Sequence, residues 1–150
     1  MNRTDRPVSR PTLDDVDPPA WTWPPPVDTH LVRRCHELRK VPVDALGVED
    51  LRLLIGQEIA LPVLLPLALA HLEADPLAEG DLYAGDLLVA VRRVAAERLE
   101  ELPGEVDVRK RLAQIEVRAQ EHQARRDEPW WTPEEIGLTE PDADEPRSGR

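Results

Sequence analysis

The segment EADPLAEGDLYAGD, from Glu73 to Asp86, holds five carboxylates and no Lys or Arg. Carboxylates at that density can ligate a hard cation, act as an acid–base pair, or face a positive partner. The first use fails on spacing. Asp75, Glu79, Gly80, Asp81 and Asp86 fall near positions 1, 5, 6, 7 and 12 of a calcium loop, but position 2 is Pro76, position 3 is Leu77, and position 12 is Asp where a bidentate Glu is needed. The second use, as in glycoside hydrolysis, needs a cleft with stacking aromatics, and Tyr83 is the one aromatic available. The third use makes Glu73, Asp75, Glu79, Asp81 and Asp86 contacts for a basic protein, with Tyr83 as aromatic anchor. An internal role is the alternative: Asp86 complements the start of the next helix, Glu73 and Asp75 stay in water, and Arg33, Arg34, Arg92 or Arg93 supply partners.

Other reactive side chains are poorly placed for catalysis. Cys35 and His36 are adjacent, so on a helix they point about 100° apart and cannot form a nucleophile and base pair. Cys35 shares its face with Leu31 and Leu38 and reads as a small buried hydrophobe. His30, His36, His71 and His122 lack metal-ligand spacing. Gly80 and Gly85 are isolated, without the Lys and Ser or Thr of a phosphate loop. The chain is therefore expected to be no enzyme and to use no cofactor or metal.

Helices must position these residues, because the apolar spacing between residues 28 and 126 is helical throughout. A first helix starts after Asp28 or Thr29, turns Leu31, Cys35 and Leu38 inward, leaves Arg33, Arg34, Arg39 and Lys40 outside, and stops at Pro42. A second runs from Val48 to Gln57, with Glu49 and Asp50 in the first turn, where the helix dipole favours them. The third, from Pro62 or Val63 to Ala74, is apolar nearly all round and must be central. Pro66 requires that this helix begin near Val63 or kink. A fourth runs from Ala84 to Leu102, burying Leu87, Leu88, Val91, Val94, Ala95, Leu99 and Leu102. After Pro103 and Gly104, a fifth runs from Glu105 to Arg125 on Val108, Leu112, Ile115 and Ala119, a narrow face that suits the outside of a bundle. Between the third and fourth helices lies a loop with room for one 3₁₀ turn. The expected fold is an all-α bundle of about five helices.

Proline marks its limits, since seven of the 16 lie in residues 1–26 and four more from Pro129 onward. Residues 1–27 read as an extended Pro- and Trp-rich arm, 28–126 as the helical domain, and 127–150 as an acidic, disordered tail. All four tryptophans, Trp21, Trp23, Trp130 and Trp131, lie in the flanks, either docked on the aliphatic core or anchoring a partner. A net charge of −11 repels nucleic acid and anionic membranes and favours basic proteins. The longest apolar run, Ile59 to Ala70, is far short of the roughly 20 residues a membrane helix needs. One cysteine, and no apolar stretch after MNRTDRPVSRP, lead to a cytoplasmic reading.

EDLRLLIGQ, then LPVLLPLAL, then DPLAEGDLYAGDLL, in that order and close together, resemble the immunity proteins of contact-dependent growth inhibition systems. TLDDVDPPAW is similar to the family's opening. The resemblance runs from Leu31 to Val91 and ends where Arg92, Arg93 and a long charged helix pair follow. It implies a cytosolic inhibitor that binds the toxic C-terminal domain of a delivered effector. Many such toxins are nucleases with basic clefts, which carboxylates can occupy in place of phosphates. The rival reading is a helical scaffold or self-assembling subunit whose acid serves solubility.

Overall fold

The computed structural model describes residues 9–127, and Trp130, Trp131 and the acidic tail lie outside them. Six α-helices follow one another: α1 (Leu13–Val16), α2 (His30–Leu38), α3 (Val48–Gly56), α4 (Leu61–Ala74), α5 (Asp86–Arg98) and α6 (Glu105–Asp127). Short 3₁₀ segments at Val43–Ala45 and Leu99–Glu101 complete the set. Among the described residues there is no strand, only the isolated bridges Thr12–Pro42 and Glu79–Ala84. The fold is all-α, as the periodicity predicts. No described helix is long and apolar enough to cross a membrane.

Each start has a local cause. Thr29 caps α2 by accepting the Val32 amide at 3.2 Å, and Asp50 reaches back to the Gly47 amide at 3.0 Å to open α3. The mostly apolar α4 buries Leu61, Leu64, Leu65, Ala68, Leu69 and Leu72 and packs on α3, α5 and α6, so it is the centre. The face of α6 is Val108, Leu112, Ile115 and Ala119, the four residues its spacing indicates.

Leu31, expected inward with Cys35 and Leu38, is 38% exposed, and three further expectations are corrected. First, α4 begins at Leu61, so Pro66 lies beyond the first turn. Pro62 and Pro66 are both exposed and four residues apart, so the Pro62 carbonyl that loses its helical donor faces water. Second, α5 begins at Asp86, not Ala84, because Ala84 bridges to Glu79 and Gly85 has φ of +88°, a left-handed value that no helix continues through.

Third, Arg39 is buried, 1% exposed, instead of facing water. Its Nε donates to Asp14 Oδ1 at 2.9 Å and its Nη1 to Asp17 Oδ2 at 2.9 Å. Nη2 donates to the Asp17 carbonyl at 2.6 Å, and the guanidinium carbon stands 4.7 Å from the Trp21 ring centre. The residue follows the last turn of α2, where the Asp14 amide of α1 donates to its carbonyl and Leu13 lies fully in the core. Trp21 also lies against His36, with ring centres 4.6 Å apart.

Candidate partner-binding surface

Two carboxylates from different helices build the acidic loop from inside. Asp86, the first residue of α5, is 3% exposed and accepts the Gly80 amide at 2.7 Å and the Leu82 amide at 3.1 Å. Glu49, in the first turn of α3, accepts the Asp81 amide at 2.8 Å and Arg52 Nε at 2.7 Å. Arg52 Nε also lies 3.7 Å from Asp86 Oδ2. Three successive amides with no ladder to join thus find charged acceptors, the stronger kind of hydrogen bond. The bond from Arg52, with the Asp81 amide, holds the Glu49 carboxyl below the usual range, and Glu49 in turn raises the Arg52 guanidinium. Gly80 is the residue the arrangement requires. A Cβ there would collide with Glu49 Oε2 and stand 2.9 Å from Asp86 Oδ2.

The six residues singled out by sequence separate into two groups. Glu73, in the last turn of α4, faces α6: Arg111 binds its carboxylate and Arg118 donates to its carbonyl. Asp75 Oδ1 accepts the Leu77 amide at 3.1 Å in the turn that ends α4. Asp86 is turned inward, as described. Glu79, Asp81 and Tyr83 are exposed at the tip, and no ion pair among the described residues involves Glu79 or Asp81. Leu82, 62% exposed, joins Tyr83, 49% exposed, as an apolar pair on that tip.

The basic partners differ from those the sequence offers. Arg33 pairs with Asp28, Arg34 with Asp50, and Arg92 with Glu116, while Arg93 donates to the Gly56 carbonyl. Arg52 and Arg111 serve the segment because α3 lies beside the start of α5 and α6 runs beside the end of α4. Glu49, Arg52 and Leu82 belong to this surface and were not singled out by sequence. The only local signal was the three-residue spacing of Glu49 and Arg52, which lets them pair on α3.

Cys35 is buried and its thiol is pushed up by that burial, while His36 Nδ1 lies 2.9 Å from the Val32 carbonyl. Among the described residues no cluster of three His, Cys, Asp or Glu is placed to hold a metal. The family described as CDI immunity proteins matches residues 15–108. The chain belongs to that family. No curated protein and no solved structure matches it. In this immunity protein the matched span contains α2 to α5 and the whole acidic loop with Glu49, Arg52 and Asp86. It passes Val91, where the resemblance read from sequence ends, and reaches the first turn of α6.

Proposed function

We propose that this immunity protein binds the toxic C-terminal domain of its cognate effector in the cytoplasm and neutralises it by covering a basic active-site cleft, with the loop Glu73–Asp86 as contact surface. The observation that carries this is the loop tip: among the described residues Glu79 and Asp81 form no ion pair, and they stand beside exposed Leu82 and Tyr83 on backbone fixed from below. A preformed tip loses little entropy on binding. In this reading Asp86 acts by positioning the tip, and Glu73 and Asp75 hold its root. Close interfacial charge pairs can couple by about 1.5 to 7 kcal/mol, so two or three would decide the affinity.

The test is a stopped-flow titration against the C-terminal toxin domain of the cognate effector, paired with growth protection in cells expressing it. A one-to-one complex is expected, with association slowing steeply as salt shortens the screening length to about 8 Å at physiological strength. Dissociation should change less. Absence of a complex and of protection, together with self-association of this chain, would return the reading to a scaffold.

A further inference from the structure

The acidic tip is a wall between two clefts. On one side a cleft of about 370 Å³ is lined by Leu31, Leu53, Leu82, Tyr83 and Val89 together with the polar Arg52, Gln57, Asp86 and Arg93. Four of the nine large hydrophobic side chains exposed among the described residues, Leu31, Leu82, Tyr83 and Val89, meet there, which makes a patch of what would otherwise be scattered surface residues. On the other side a cleft of about 420 Å³ is lined by Glu37, Glu49, Asp50 and Asp81, with His30 and Arg34. Arg34 serves Glu37 and Asp50, Arg52 serves Glu49, and Asp81 is left over, so four carboxylates stand against two guanidinium groups. Leu53 borders both clefts, and Asp81 and Leu82, consecutive in sequence, turn into different ones.

We propose that the two clefts form one composite site for a single segment of the toxin domain, in which an apolar side chain enters between Tyr83 and Val89 while a neighbouring Lys or Arg crosses the tip to Asp81 and Glu37. This rests on the functional reading above and adds the chemistry of the segment. A surplus of carboxylate beside an apolar cleft calls for a cation beside an apolar anchor. A second copy of this chain fits poorly, because two bodies of charge −11 would meet at their acidic clefts.

The full chain should be titrated with the toxin domain by calorimetry and stopped flow, with folding checked by circular dichroism. Val89→Asp, which blocks the apolar cleft without touching the loop, and Leu82→Ser with Tyr83→Ala should each weaken binding at least about thirtyfold, mainly through faster dissociation. Glu37→Gln with Asp81→Asn should slow association and flatten its salt dependence. Val106→Ser with Val117→Ser, exposed on α6, should leave binding unchanged. If the native chain binds and the cleft variants bind within twofold of it, the composite site is wrong while the functional reading stands. If the native chain does not bind at all, the functional reading fails and the site falls with it. A native dimer that Val89→Asp dissociates would assign the site to a second copy and overturn the proposal.

Discussion

Arg39 and Asp86 are both nearly inaccessible ions that hold irregular chain against the helices, and they do so with opposite sign. The arm around α1 turns carboxylates and a carbonyl inward, so a buried cation satisfies it. The loop before α5 turns amides inward, and there the buried ion is a carboxylate. The sign of the ion follows the backbone groups that lack a partner. The results also differ. The arm delivers Leu13 to the core, whereas the loop leaves Leu82 and Tyr83 outside. One charge ties the arm to the bundle and the other fixes a loop whose tip stays exposed.

Breaking the two ions separately should expose that difference. Arg39→Ala leaves Asp14 only exposed Lys40 at 3.5 Å and the Trp21 amide, and the loss of the buried member of the pair should cost up to about 3 to 5 kcal/mol in urea denaturation. A loss under about 1 kcal/mol would mean that the arm is not part of the cooperative unit. Asp86→Ala frees two amides and should cost about 1 to 3 kcal/mol, with hydrogen exchange rising first at Gly80 and Leu82. Exchange rising equally across α4 would show that the ion stabilises the whole bundle and not the loop.

Gly80→Ala sharpens the comparison, because it keeps every charge and forces a methyl between the two carboxylates. Overpacking of this kind should cost about 1 to 3 kcal/mol while weakening toxin binding more than an equally destabilising core variant. Equal weakening in both would leave the loop no special part in binding.

Acid should act least. Burial opposes ionisation of Asp14, but the bonds from Arg39 and from the Trp21 amide outweigh it, and its carboxyl ends below the usual range, as does that of Glu49 beside Arg52. Depressed carboxyls stabilise fully above their unfolded values of about 4 and lose that contribution as pH falls through the folded ones. The contribution of these two carboxyls should therefore be level above about pH 5 and decline below about pH 4. Asp14→Asn and Glu49→Gln should each remove part of the decline, and an unchanged pH profile in the double variant would refute both assignments.

The helical content, the central place of α4 and the buried stripe of α6 were determined by the sequence itself, because a period of 3.6 residues and the punctuation of Pro and Gly act within a few positions. The excess of acid between Glu73 and Asp86 was legible in the same way, and with it the character of the surface. The tertiary structure decided which charges were buried and what they held. Arg39 meets Asp14 across 25 residues, and Asp81 meets Glu49 across 32. Whether a charge is covered or offered depends on which backbone groups the packing of distant helices leaves without partners, and no local spacing encodes that. Periodicity could not tell Arg39 from its exposed neighbours, nor Asp86 from Asp81, because burial there is set by the α1 arm meeting the end of α2 and by α3 lying against α5.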